Sequence, residues 1–142
     1  IALTPTILPQ AGKPTFEIGE DEIEIGMGIH GEPGIKREKL KPADDLVNDL
    51  YKRIIEDSKL KAEDTISIMI NSLGATPLEE LYIVSKKFNE NLVNSKIVNI
   101  KTYVGRYATS MEMAGMSITV LKLNNKIKEN LIAPTDCPFW TN

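Results

Sequence analysis

Apolar side chains recur at helical spacing in two stretches of this chain, each with one apolar stripe. The first stretch begins at Pro42 and ends at Ser58, and its acidic first turn suits the positive end of a helix dipole. The second follows Thr76-Pro77-Leu78-Glu79, which has the pattern of a capping box with proline at the first helical position. The predicted apolar faces are Leu46, Val47, Leu50, Tyr51, Ile54 and Ile55 in the first helix, and Leu78, Leu81, Tyr82, Ser85, Phe88 and Leu92 in the second.

Strand patterns surround the two helices. Residues 15–18 and 22–25 alternate polar with apolar side chains around Gly19-Glu20-Asp21, which predicts a hairpin. Residues 109–112 are expected to start one helical turn, and 125–131 a short helix. Further strands are predicted at 64–71, 97–104 and 117–123. The order β-β-α-β-α-β-β predicts an α/β two-layer sandwich, in which a mixed β-sheet carries two long helices on one face.

Composition narrows the class of function. The 142 residues are 42% hydrophobic and 26% charged, as expected of one globular domain. A net charge of −3, without a basic run interleaved with aromatics, argues against nucleic acid and anionic membranes as partners. No apolar stretch is long enough to span a membrane, and no signal-peptide pattern is evident. The single cysteine cannot form an internal disulfide, so a reducing, cytoplasmic location is expected. One cysteine, Cys137, and one histidine cannot build a zinc site, so no metal is expected.

The histidine, His30, lies in a frame of glycines. Residues 26–34 read Gly-Met-Gly-Ile-His-Gly-Glu-Pro-Gly and directly follow a predicted strand. Glycine permits a positive φ and close approach, and Pro33 prevents a helical continuation. We therefore predict an open, rigid loop in which His30 is neutral and reachable, its second ring nitrogen held by Glu32 or by a backbone carbonyl. The competing interpretation is a surface or core histidine without a chemical role.

Three glycine-containing segments suggest binding of a ligand, but each has a better alternative explanation. The glycines at 26, 28 and 31 have the spacing of a dinucleotide fingerprint, but no helix opens at the third glycine, so we reject dinucleotide binding. The turn at Gly74 could offer backbone N–H groups to an anion, although an ordinary connection between strand and helix is favoured. Residues 105–113 could contact a substrate, although a structural turn is favoured there too.

Residues 26–34 resemble the substrate-anchoring motif of the dihydroxyacetone kinase (glycerone kinase) K-subunit family. The resemblance covers nearly the whole chain, yet only the second, C-terminal domain of that subunit. Further blocks resemble the family in the same order, at 8–16, 71–82, 105–115 and 117–122. The resemblance ends near the C-terminus with Ala133-Pro134 and Pro138.

This resemblance implies that residues 1–142 are the C-terminal domain of a K-type subunit. The upstream domain, which carries the family's acid/base histidine and aspartate, is then absent from this sequence. A start at Ile1 without methionine likewise leads us to expect a longer protein. His30 matches the family's covalent histidine, whose Nε2 adds to the ketone of dihydroxyacetone as a hemiaminal. Gly28 and Gly31 beside it are candidate substrate-binding residues.

The resemblance also implies kinase activity on dihydroxyacetone in glycerol metabolism, with the phosphoenolpyruvate-dependent phosphotransferase-system branch favoured over the ATP-dependent one. No cofactor is expected in this chain, because the family holds the donor nucleotide on a separate L subunit or domain. Expected partners are dihydroxyacetone, the missing N-terminal domain, the L-type subunit and a second copy in a homodimer of the full subunit. The alternatives are a non-catalytic dihydroxyacetone-sensing paralogue, acting as coactivator of a transcriptional regulator, and an unrelated domain in which His30 is incidental.

Overall fold

The computed structural model describes residues 1–28, 32–138 and 140–141. Its helices are α1 (Ala43–Ser58), α2 (Leu78–Asn94) and α3 (Asn125–Ile132). Its strands are β1 (Glu22–Ile25), β2 (Lys36–Lys39), β3 (Thr65–Ser72), β4 (Val98–Gly105), β5 (Met116–Lys122), β6 (Asp136–Cys137) and β7 (Trp140–Thr141).

The central sheet has the strand order β4-β3-β5, in which β3 runs parallel to β4 and antiparallel to β5. Ile66, Ile68 and Ile70 alternate along β3, so they point to one face. They are buried there with Val47 of α1 and Phe88 of α2. Both long helices therefore cover the same face, and the predicted two-layer α/β sandwich with a mixed sheet is confirmed.

The two helices begin and end close to their predicted positions, but the face of α2 differs from the prediction. Leu78 and Tyr82 are 46% and 59% exposed, whereas Val84 is buried against the sheet. The predicted capping box is also wrong, because no side chain caps α2. The hydroxyl of Thr76 instead accepts a hydrogen bond from the Gly115 N–H at 2.8 Å, which holds the start of α2 to the approach of β5.

The hairpin predicted between residues 15–18 and 22–25 is wrong, because β1 pairs with β2 across the glycine loop. Ala2 occupies the other edge of β1, exchanging backbone hydrogen bonds of 2.9 Å with Glu24 in both directions. Thr15 meanwhile pairs its N–H with the carbonyl of Thr6. The first residues of the chain therefore occupy the edge that a hairpin with residues 15–18 would have used.

The stretch after β4 also differs from its prediction. Residues 109–112 form no helical turn, because Met111 adopts a positive φ of 49° and the Ser110 N–H donates to the Leu73 carbonyl at 2.6 Å. The short helix predicted at 125–131 is present as α3, capped by the Asn124 side chain, which accepts from the Ile127 N–H. Within the described residues, no helix has the length and apolar character needed to cross a membrane.

Candidate functional site

The glycine loop, residues 26–34, lies in the sequence between the antiparallel strands β1 and β2, and the structure describes its two limbs, residues 26–28 and 32–34. The Gly28 N–H donates to the Glu32 carbonyl at 3.0 Å, and the Ile35 N–H donates to the Ile25 carbonyl at 2.8 Å. These bonds hold the two limbs of the loop side by side. His30 and Gly31 lie outside the described residues, so their assigned roles remain predictions.

Two glycines of this loop are required by the backbone. Gly26 has a φ of +76°, which a residue with a side chain rarely adopts. A Cβ at Gly34 would lie 2.6 Å from the Ile25 carbonyl oxygen, so only glycine lets the second limb approach β1 this closely. At Gly28 the carboxylate of Glu32 fills the space that a side chain would need. The proposed role of Gly28 in substrate binding remains a prediction.

Glu24 is a buried carboxylate at the base of the loop, with 7% of its surface exposed. Its Oε1 accepts from the Gly34 N–H at 2.6 Å, and its Oε2 accepts from Arg37 Nη2 at 2.8 Å. The Arg37 guanidinium, followed by the Gly34 N–H, holds the pKa of Glu24 below its ordinary value. Sequence reasoning missed this residue, because in an alternating strand a glutamate is typical of the solvent-facing side.

A second ordered region lies at the carboxyl ends of β3 and β4. The buried Asn71 side chain accepts from the N–H groups of Tyr107 and Ala108 at 2.8 and 3.0 Å. It also donates to the Ala108 carbonyl at 2.7 Å and to the Ser117 hydroxyl at 3.1 Å. One amide thus fixes the start of segment 105–113, as expected of a structural turn.

The turn at Gly74 has its backbone N–H groups engaged within the protein. The N–H groups of Leu73 and Ala75 donate to the carbonyls of Gly115 and Met113, and that of Gly74 donates to the Ser72 hydroxyl. Donors bound in this way are not available to an anion. The interpretation as an ordinary connection between strand and helix therefore agrees with the hydrogen bonding.

An aromatic cleft of about 250 Å³ lies on the sheet face opposite the helices. Trp140 packs against Tyr103 and Tyr107, with ring centroids 4.6 and 5.4 Å apart. Cys137 also lines the cleft and is exposed. Trp140 therefore packs as part of the wall of this cleft. Among the residues described, no three His, Cys, Asp or Glu side chains are grouped so as to hold a metal ion.

Comparison with known proteins identifies the family. The model of the Dak1 domain matches residues 1–139. The dihydroxyacetone-binding subunit DhaK of PTS-dependent dihydroxyacetone kinase 1 from Listeria innocua is 48% identical over 141 residues, covering 99% of this chain and 43% of that protein. The dihydroxyacetone-binding subunit of the PEP-dependent dihydroxyacetone kinase of Escherichia coli is 31% identical, over 97% of this chain and 46% of that protein.

Solved structures of related proteins have the same fold as this chain. The dihydroxyacetone kinase operon co-activator Dha-DhaQ superposes with a TM-score of 0.83 at 30% identity, over 94% of this chain and 42% of that chain. The native dihydroxyacetone kinase of C. freundii superposes with a TM-score of 0.78 at 26% identity, over 99% and 25%. The chain thus spans less than half the length of these relatives. The expected resemblance to dihydroxyacetone kinase K subunits is confirmed, and the chain belongs to the Dak1 domain family.

Proposed function

We propose that this chain is the C-terminal domain of the substrate-binding subunit of a dihydroxyacetone kinase, and that His30 holds dihydroxyacetone as a covalent hemiaminal for phosphoryl transfer. The observation that carries the proposal is 48% identity, over 99% of this chain, to a protein named as a dihydroxyacetone-binding subunit. The glycine loop supports it, since the two described limbs that flank His30 in the sequence are joined by backbone hydrogen bonds.

The chemistry suits an imidazole. A histidine with a pKa near its reference value of about 6.5 is largely neutral at physiological pH and is then a nucleophile. Its Nε2 forms a bond to the ketone carbon as the carbonyl π bond breaks. The oxygen takes up a proton and the ring releases the one on Nδ1, so no group leaves and the addition is reversible. Glycerol lacks a carbonyl and cannot form this bond. The anchored ketose keeps a terminal hydroxyl for the phosphoryl donor.

We propose the phosphoenolpyruvate-dependent branch, in which the donor is a nucleotide on a separate L-type subunit. Relatives named PTS-dependent or PEP-dependent support it at 31–48% identity. An L-erythrulose kinase at 34% identity supports a small ketose as the class of substrate. The upstream domain, a homodimer of the full subunit, a cytoplasmic location and a place in glycerol metabolism belong to the same proposal.

Native intact-mass measurement of the intact protein tests the covalent step. Dihydroxyacetone should add its full mass to the wild-type protein, and His30→Gln should abolish the adduct, because the amide is not a nucleophile. Thermal unfolding of both proteins should coincide within a few degrees, since a loop residue contributes little packing. Borohydride should trap nothing, because no imine forms. An adduct that survives His30→Gln, or one lighter by a water, would assign the substrate to another residue.

A second candidate function is a non-catalytic sensor that binds dihydroxyacetone and acts on a transcriptional regulator. It is favoured by the structural similarity to an operon co-activator, with a TM-score of 0.83. A sensor would form the His30 adduct but would not turn over substrate with an L-type subunit and a competent donor. Steady-state turnover by the intact protein therefore separates the two functions.

A further inference from the structure

We propose that Glu24 is the positioning residue of the glycine loop, holding its second limb so that His30 is presented to the substrate in one orientation. The inference rests on the function proposed above. It concerns how the histidine is placed and not whether it reacts.

The carboxylate of Glu24, on β1, binds two points of the chain that follows the loop. Its Oε1 binds the Gly34 N–H in the second limb of the loop, and its Oε2 binds the guanidinium of Arg37 on β2. Both contacts are charge-assisted, which makes them stronger and more directional than neutral hydrogen bonds. The limb is thereby fixed in direction as well as in distance from β1.

The packing leaves no slack between this carboxylate and the loop. A Cβ placed on Gly34 would lie 2.5 Å from Cγ of Glu24, so the backbone of the second limb rests directly on the glutamate side chain. The second limb is therefore in direct contact with the Glu24 side chain as well as hydrogen-bonded to it. Gly34 lies four residues after His30 in the sequence. The hydrogen bond from the Gly28 N–H to the Glu32 carbonyl also joins the second limb to the first.

The hairpin is also held by interactions other than this carboxylate. Ile23 and Ile25 of β1 are buried with Leu46 of α1, and the β1–β2 ladder supplies the backbone bonds. A buried charge is costly unless it is paired, and apolar replacements are often as stable. The position of Glu24 is thus better explained by the orientation of the loop than by the stability of the hairpin.

Glu24→Gln in the intact protein tests the inference. Glutamine keeps the shape of glutamate, but its amide has one oxygen and one NH₂ group, so it opposes a donor either at Gly34 or at Arg37. The matched control is Asp64→Asn, because Asp64 Oδ2 likewise accepts from a backbone N–H, that of Lys61 at 2.8 Å, and from a cation, Lys122 at 2.7 Å, in front of β3. The measured quantities are the dihydroxyacetone concentration that half-saturates the adduct and the melting temperature.

We expect Glu24→Gln to raise the half-saturating concentration about tenfold, and Asp64→Asn to leave it unchanged. Equal half-saturation of these two variants would overturn the inference, even if both lost thermal stability. Arg37→Met in the Glu24→Gln background should recover most of the lost affinity, because it removes the donor that the amide opposes. Absence of recovery would also count against the inference.

Two further outcomes are decisive. If Glu24→Gln does not fold, the single variant Arg37→Met decides, because Arg37 is half-exposed and can be replaced without disturbing the core. It should raise the half-saturating dihydroxyacetone concentration about threefold. An unchanged concentration overturns the inference. If the wild-type protein forms no adduct that depends on His30, the proposed function itself fails. A wild-type adduct with no response to Glu24 refutes only the positioning role.

Discussion

At the scale of single residues, Glu112 shows how one carboxylate fixes a distant part of the chain. It accepts from the Ile7 N–H at 2.6 Å and from the Thr6 hydroxyl at 3.0 Å, and so ties the first residues to the segment between β4 and β5. The Ile7 N–H, with the N–H of Glu112 itself and the Thr6 hydroxyl, lowers the pKa of Glu112 below its ordinary value. The ionised form is thus favoured in the folded protein.

This lowered pKa predicts how the stability of Glu112→Gln depends on pH. The contribution of Glu112 is present above the ordinary carboxyl pKa, about 4.3, and is lost as the pH falls through the lower folded value. The intact variant should therefore be less stable than wild type near neutral pH, and the difference should shrink on acidification. Urea unfolding midpoints measured at several pH values check this. Glu129→Gln, at an exposed pair with Lys126, should show almost no difference at any pH.

A difference between Glu112→Gln and wild type that stays constant down to about pH 3 would contradict this assignment, since protonation must remove the advantage of a carboxylate.

Individual polar residues were the part of the molecule that the sequence predicted least. The partners of Asn71 lie more than thirty residues away in sequence, and those of Glu112 more than a hundred. Local periodicity reports which side of an element is apolar, but it carries no information on such distant partners. His30 was proposed from its glycine neighbours, which are local in sequence, and its role remains a prediction. Glu24 was not singled out, because its partners Gly34 and Arg37 become its neighbours only in the hairpin.

At the scale of elements, the turn between β3 and α2 is packed directly against the turn before β5. The Ser110 N–H donates to the Leu73 carbonyl at 2.6 Å, and the Ala75 N–H donates to the Met113 carbonyl at 3.0 Å. Gly74 has a φ of +146°, and a Cβ there would overlap the carbonyl oxygen of Met111. Both turns are therefore constrained by one glycine.

Gly74→Ala should destabilise the intact protein by about 2–4 kcal/mol, because the new methyl group meets backbone atoms that cannot rotate away. Gly12→Ala is the control for backbone strain alone. Gly12 also has a positive φ, +61°, but nothing lies within 4 Å of a Cβ there, so a cost of about 1 kcal/mol is expected. Chemical unfolding gives both values, and equal losses would show that contact with Met111 is unimportant.

Element type followed from the sequence more closely than element pairing did. Both long helices, α3 and the three central strands were found close to their predicted positions, because each depends on its own periodicity. The predicted partner of β1, residues 15–18, was wrong. One edge of β1 pairs with β2 and the other with Ala2, and local periodicity does not tell which segments lie beside a strand. Most of the predicted face of α2 is buried, namely Leu81, Ser85, Phe88 and Leu92. The prediction failed at its edge, where Leu78 and Tyr82 are exposed and Val84 is buried instead, because helical spacing alone does not fix how wide the buried face is.

At the scale of the whole molecule, the glycine loop belongs to the same framework as the central sheet. Ala2 forms bridges to Glu24 on one side and to Gly115 on the other, and so links the β1–β2 hairpin to the strand that follows Gly115, β5. The core between the sheet and the helices contains buried residues of β3, α1 and α2 in one cluster. The described limbs of the loop are therefore anchored to the rest of the domain through β1.

Residues 1–142 alone should nevertheless show no kinase activity. Phosphoryl transfer needs an aligned hydroxyl, a donor and a group that accepts the proton, and the resemblance assigns the acid/base histidine and aspartate to the upstream domain. The chain also spans 43% of its relative from Listeria innocua. Turnover of dihydroxyacetone is measured with an L-type partner and a competent donor, for residues 1–142 and for the intact protein.

Cooperative unfolding of residues 1–142 must be established first, so that inactivity is not the result of an unfolded chain; the buried cluster around Phe88 leads us to expect it. Turnover by the intact protein together with inactivity of the folded residues 1–142 supports the division of labour between domains. Turnover by residues 1–142 would refute it. If the intact protein forms the His30 adduct but never phosphorylates dihydroxyacetone, the kinase proposal fails and the sensor function takes its place. Anchoring a ketone needs only the imidazole, whereas phosphorylating it needs the rest of the pocket.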